Sequence, residues 1–178
     1  GLNTCDTIPI VCLLIGGGIG SISLVLTKIY QGIPILIFKG TGHAPDLISG
    51  TCEDFADRHD NLSDNHLRTA ITMRIAEKFP KESKDDSTRN KIKDNLLQII
   101  KYSNTQENGN LLTFIDATSS NSDLHELDKY ILISLIQNQP SNGQLQSQEI
   151  LKRNLMLILD CNHPEIALSE IFQSEGSD

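Results

Sequence analysis

The stretch "IPIVCLLIGGGIGSISLVLTKIYQGIPILIFKGTGHAPDLI", residues 8–48, decides the fold class. It holds two apolar runs of strand length, Ile8–Ile15 and Ile33–Phe38. Each ends in glycines, "GGGIGS" at 16–21 and "KGTGHA" at 39–44. Unbroken rather than alternating hydrophobicity marks a strand covered on both faces, the habit of parallel sheets. Between the runs Ser21 offers a helix N-cap, and Ile22, Val25 and Ile29 recur at helical spacing as far as Tyr30. Gln31-Gly32 closes that helix, and a second is expected from about Ala44 to Arg58. Strand, loop and helix repeated with short connections form a βαβ unit, so the expected fold is α/β with a parallel sheet.

Ligands of parallel α/β sheets sit in the crevice beyond the carboxyl ends of the strands, and both glycine loops fall there. Glycines let the backbone approach a phosphate closely, and the helix start behind them offers unpaired N–H groups with partial positive charge. In the first loop Gly17, Gly18 and Gly20 bare the backbone and Ser21 adds a hydroxyl. In the second, Gly40 and Gly42 repeat the device and His43 stands where it can touch a ligand. Side by side, the loops would form two walls of one anion site. The competing reading is that the glycines serve only tight strand-to-helix packing.

Other candidates carry less. Asp46 suits the first turn of its helix. Asp123 and Glu126 read as a capping box. Asp128 has no capping task and is the candidate contact for a ribose. His59 and His66 flank Asp64 without a second ligand set, so no metal site is expected. Neither a Ser/His/Asp nor a Cys/His nucleophile constellation can be assembled.

Beyond residue 57 the texture changes. "HLRTAITMRIAEKF" and "KIKDNLLQIIKY" each carry one apolar stripe and read as amphipathic surface helices, with "PKESKDDSTRN" (80–90) between them as a mobile charged loop. A third strand, Leu111–Ile115, precedes a helix opened by Asp123, with Leu124, Leu127, Ile131 and Leu135 on one face. A polar, Gln/Asn/Ser-rich segment at 138–149 reads as a linker. The tail from Glu149 to Phe172 reads as a helical hairpin, with Pro164 in the first turn of its second helix. Such a hairpin is the kind of unit that begins an α-solenoid.

The bulk properties exclude several classes. The 178 residues carry a net charge of −8 with a pI near 5.0, and no basic face for nucleic acid is evident. Cys5, Cys12, Cys52 and Cys161 lack CxxC spacing and read as reduced thiols in a cytosolic setting. In that setting the sequon at Asn61 is a chance match. No segment reaches the roughly 20 apolar residues that span a bilayer. The chain opens almost directly into a strand, as a piece of a longer protein would.

Three co-linear blocks resemble the cytosolic N-terminal region of melastatin-type TRP channels. "IPIVCLLIGGGIGS…GIPILIFKGTGHAPDLI" resembles that family's "IPIV…EGGPGT" and "EGSGR.AD". "LLTFIDA…ELDKYILISLI" resembles "LLTVF…D.D.AIL", and "LKRNLMLILDCNHPEIALSEIF" resembles "A…N..DIA.SEIF". The resemblance implies a Rossmann-like fold of the SLOG superfamily over residues 1–137, a linker at 138–149 and a hairpin at 150–178 that begins a helical-repeat region. It implies the C-terminal part of the domain, since the family has further strands and another glycine loop upstream. One sheet edge would then be bare unless another segment completes it.

For function, the resemblance to the ADP-ribose-sensing branch implies a nucleotide-sensing module of a calcium-permeable, ligand-gated cation channel. The partners would be ADP-ribose or a related nucleotide and the other subunits of a homotetramer, with no cofactor. The setting would be the cytoplasmic side of a plasma-membrane protein that meets the membrane only through its parent channel. Gly18 and Ser21 would line the phosphates and Asp128 would fall near an acidic ligand contact. His43 stands where the family usually has arginine, and a neutral imidazole makes a weaker, pH-dependent phosphate contact. The superfamily also contains phosphoribohydrolases with a "PGGxGTxxE" motif. Aligned to it, "GGGIGSISL" puts Leu24 at the catalytic glutamate, so the expectation is binding without catalysis. The remaining alternative is a purely structural channel-assembly domain.

Overall fold

The computed structural model describes residues 9–56, 65–103, 111–118, 126–137 and 147–172. Three parallel strands, β1 (Cys12–Leu14), β2 (Ile35–Lys39) and β3 (Leu112–Asp116), lie in the order β1-β2-β3. Cys12 pairs with Ile35 and Leu14 with Ile37. On the other side of β2, Ile35 pairs with Leu112 and Lys39 with Asp116. Helix α1 (Ile19–Tyr30) joins β1 to β2, and α2 (His43–Ala56), α3 (Asn65–Lys78) and α4 (Asp86–Ser103) lie between β2 and β3. Then come α5 (Leu127–Gln137), α6 (Ser147–Asp160) and the short α7 (Pro164–Ile166), which runs into a π-helical turn at Ala167–Phe172. The architecture is the α/β parallel sheet with flanking helices that the strand–loop–helix pattern leads one to expect.

The central strand shows why an unbroken apolar run was needed. Successive side chains of a strand point to opposite faces. Ile35 and Ile37 enter the large core built with α1 to α4, while Leu36 and Phe38 enter a second cluster with Ile115, against which Leu127, Tyr130 and Ile131 of α5 pack. All four are essentially buried. The same inference fails at β1, whose regular part is only three residues long. Leu13 and Ile15 are 46% and 63% exposed. Leu13 is in register with Leu36 and so faces the α5 side, but one helix about 10 Å wide covers only about two strands spaced roughly 4.8 Å apart. α5 sits over β2 and β3, and the edge strand is left partly open.

Both predicted amphipathic helices form. α3 buries Leu67, Ile71 and Ile75, and α4 buries Ile92, Leu96, Ile99 and Ile100, at the spacing of one helix face. The charged segment at 80–90, expected as a mobile loop, is ordered. A single 3-10 turn at Glu82–Lys84 leads into α4. There the Asp85 carboxylate accepts the Thr88 N–H at 2.8 Å, satisfying one of the helix's orphan donors.

α5 has two working faces rather than the single stripe expected. Leu127 and Ile131 pack toward the sheet. Leu132, with Ile133 and Ile136 beside it, joins a third cluster with Ile158, Ile166, Ala167 and Ile171 of the hairpin. The helix is thus a middle layer between sheet and hairpin. Pro164 takes the first helical position of α7 as expected. Among the described residues no helix is long and apolar enough to cross a membrane. The expected cap at Asp123, the sequon at Asn61, Cys5, His59 and Asp64 lie outside the described residues, as do residues 57 and 58 of the expected second helix.

Candidate functional site

The two glycine loops meet at the carboxyl ends of β1 and β2. Gly16 N–H donates to Thr41 Oγ1 at 2.9 Å, and the Thr41 hydroxyl donates to Phe38 O at 2.7 Å. Ala44 N–H reaches Gly17 O at 3.3 Å. The loops are therefore cross-braced through one hydroxyl that neither glycine pattern pointed to. A threonine set between Gly40 and Gly42 was the available signal, since its side chain alone in that turn can accept one backbone bond and donate another.

In the first loop the N-cap of α1 is Gly18, in extended backbone with no side-chain hydrogen bond to the helix. This corrects the expectation for Ser21. Ser21 lies inside the first turn and its N–H bonds back to Gly18 O at 3.0 Å, while its Oγ lies over Gly17. A β-carbon on Gly17 would come within 2.4 Å of that oxygen, and its φ of +103° is one that side chains rarely adopt. Gly18 and Gly20 face open space. No acidic residue stands in the first turn of α1, so the dipole's positive end is not neutralised locally.

The second loop is arranged differently. Gly40 N–H donates to Asp46 Oδ1 at 2.7 Å, so the aspartate of the α2 first turn reaches back to the loop as well as meeting the helix dipole. A β-carbon on Gly40 would lie 2.1 Å from Thr118 Cγ2 at the end of β3. Thr118 is itself held by Asp116 Oδ1, which accepts both its N–H and its hydroxyl. Gly42 is another left-handed position, and His43 continues it with a φ of 43°. The His43 ring does not turn toward the first loop. Its Nδ1 lies 3.3 Å from Lys78 O at the end of α3, and the ring tilts over Phe79 with centroids 5.8 Å apart. A carbonyl only accepts, so Nδ1 carries the proton there.

Charge around the second loop is mostly negative. Lys39, at the end of β2, is ion-paired with Glu53. Its pKa is raised first by that hydrogen bond, then by the fields of Glu53, Asp116 and Asp46 against the opposing cost of burial. Three carboxylates thus share one ammonium at this end of the sheet, whereas the first loop offers bare backbone.

Asp128 is engaged elsewhere than a ribose reading requires. It lies in the first turn of α5, where Oδ1 accepts the Lys129 N–H at 3.0 Å and Oδ2 lies 2.9 Å from His163 Nε2. The contact bridges 35 residues and could not be read from spacing. Leu24, which the motif comparison in the sequence set against a catalytic glutamate, is 57% exposed on α1. No group of three His, Cys, Asp or Glu side chains with metal-holding geometry occurs among the described residues.

Comparison with known proteins follows the same lines. The family profile described as "SLOG in TRPM" matches residues 2–99, which contain both glycine loops, the first two strands and nearly all of α4. The chain is also 29% identical over 172 residues to "Transient receptor potential cation channel trpm" of Drosophila melanogaster. That alignment covers 95% of this chain and 8% of the relative, so the chain spans a small part of the protein it resembles. With more than half of its length matched by the profile, the chain belongs to the SLOG family of TRPM channels.

Proposed function

We propose that this chain is a nucleotide-sensing module in the cytosolic part of a melastatin-type cation channel, with the phosphates of ADP-ribose or a related nucleotide held at Gly17, Gly18, Gly20 and Ser21. The observation that carries the reading is the open start of α1. Among the described residues, the N–H groups of Ile19 and Gly20 have no hydrogen-bond partner behind a glycine N-cap, and no carboxylate stands in the turn to compete. Backbone donors at a helix N-terminus are the usual seat of a phosphate. The ligand acts by differential binding, favouring one arrangement of the tetramer's cytosolic ring beneath the plasma membrane, with calcium permeation downstream. The nucleotide is held without being consumed, since Leu24 supplies no proton-handling group.

A structural role for the second loop is favoured by its own hydrogen bonds, because Asp46 already fills the place an anion would take at Gly40 N–H. In this reading Gly40, Gly42 and His43 brace the site rather than contact the ligand. Calorimetric titration of ADP-ribose tests the proposal, on the 178-residue chain and on a longer chain extended upstream of residue 1. Saturable binding with ADP-ribose recovered unchanged is the expected result for at least the longer chain. Heat from neither chain overturns the nucleotide reading, and hydrolysed product returns the hydrolase.

A further inference from the structure

His163 sits in the turn between α6 and α7, and both helix ends fix its place. Asn162 takes a left-handed φ of 58°. The N–H groups of Asn162 and His163 return to Leu159 O and Ile158 O at 3.0 and 3.1 Å, the paired bonds of a Schellman cap. His163 is also the N-cap residue of α7, its carbonyl accepting the Ile166 N–H at 3.0 Å. So held, the ring spans two acids. Nε2 is 2.9 Å from Asp128 Oδ2 on α5 and Nδ1 is 2.7 Å from Glu165 Oε1 on α7.

A neutral imidazole has a single N–H, and its other nitrogen would set a lone pair against a carboxylate oxygen. Only the imidazolium donates to both. The ring is 19% exposed and its two partners 68% and 58%, so water screens the pairs without displacing the geometry. Because the ring's two nitrogens point to different acids, the trio is a clamp on a cation and not a chelate.

We propose that His163 is a proton-operated latch: as imidazolium it fastens the C-terminal hairpin to α5, and its deprotonation loosens that docking while the main α/β core stays closed. The inference rests on this clamp and not on the nucleotide reading. From α5 the facing groups are Asp128 and, beyond it, Lys129, which is paired with Glu126 at 3.4 Å. From α7 it is Glu165. α6 ends at Asp160 and Cys161 follows in the turn; among the described residues the ring's hydrogen-bond partners are Asp128 and Glu165.

The hydrogen bonds to Glu165 and then Asp128 raise the ring's pKa above its ordinary value. The bond from His163 lowers both acids below theirs. A raised histidine contributes fully below its undocked pKa of about 6.5, and that contribution is lost as pH rises through the docked value. The acids contribute above their usual range of about 4 and fail as pH falls through their depressed values. Docking is therefore strongest in mildly acidic solution and weakens toward alkaline pH.

Ring-nitrogen NMR and amide exchange on the 178-residue chain test this. The His163 ring titrates above about 6.5 with both nitrogens protonated below that point. Amide protection over 147–172, corrected for intrinsic exchange, falls about three- to tenfold as the ring deprotonates, while α4 amides serve as an unchanged reference. H163Q abolishes that step. A ring pKa at or below the ordinary value overturns the latch. So does a hairpin whose protection tracks α4 at every pH, or a step that persists in H163Q. The wild-type titration decides the matter even if the variant folds poorly.

Discussion

The loops at residues 16–20 and 40–43 occupy equivalent places in consecutive strand–helix units, yet their polar groups are satisfied in opposite ways. The first leaves backbone N–H groups open at a helix start with no acid in the turn. The second closes on itself: Asp46 accepts Gly40 N–H, Thr118 fills the space beside Gly40, and the His43 ring lies against Phe79. Two similar glycine strings thus serve different ends. In the proposed reading one receives an anion, and the other buttresses it through Thr41. What separates them is the side chains of neighbouring elements, because glycine itself contributes only permission.

The largest effect should come from closing the second loop's tightest approach. Gly40→Ala must find room for a β-carbon 2.1 Å from Thr118 Cγ2 at a φ of +86°. Thr118 is pinned by Asp116 and cannot swing freely aside. The expected loss is about 1–3 kcal/mol of folding stability, read by urea denaturation. Adding Thr118→Gly should recover the steric part and leave the backbone part. If Gly40→Ala alone is neutral, the buttress is softer than its geometry implies.

The cross-brace comes next. Thr41→Val keeps the shape but removes the acceptor of Gly16 N–H and the donor to Phe38 O. The expected cost is about 1–2 kcal/mol, the usual effect of leaving a part-buried polar group unpaired. Because Thr41 touches no ligand in the proposed reading, any affinity loss should track loosened exchange protection around residues 16–20. Weaker binding with that protection intact would make Thr41 a ligand contact and dissolve the division between the loops.

Much of this was legible in the chain, and the failures share a cause. β2, α1 and the stripes of α3 and α4 follow from patterns that a single element enforces on itself. The reading of β1 failed because burial of an edge strand depends on what lies beside and above it, and Leu13 is left where α5 does not reach. Ser21 was a fair cap by type, but the backbone extends at Gly18 first, and the hydroxyl falls over Gly17 instead. The charged run at 80–90 hid a capping aspartate within its charge. Asp128 and His163 are joined only by the fold. So is the difference between the two loops, set by Asp46, Thr118 and Phe79. That the two loops lie side by side at the strand ends was readable, but which of them is closed by its neighbours' side chains was not.

The smallest structural effect belongs to Gly18, and for that reason it is the sharpest probe. A β-carbon there meets nothing within 4 Å, and its φ of −96° suits any residue. Gly18→Ala should change stability by no more than about 0.5 kcal/mol. A phosphate seated on the α1 N-terminus would meet the new methyl, so ADP-ribose affinity should fall about tenfold or more, an interaction change of roughly 1.4 kcal/mol. Gly40→Ala corrected for its stability loss should show much less. The contrast is informative because the two substitutions invert each other: one disturbs the fold and spares the site, the other spares the fold and disturbs the site. Equal affinity losses would mean the ligand spans both loops, as the symmetric reading of the glycines holds.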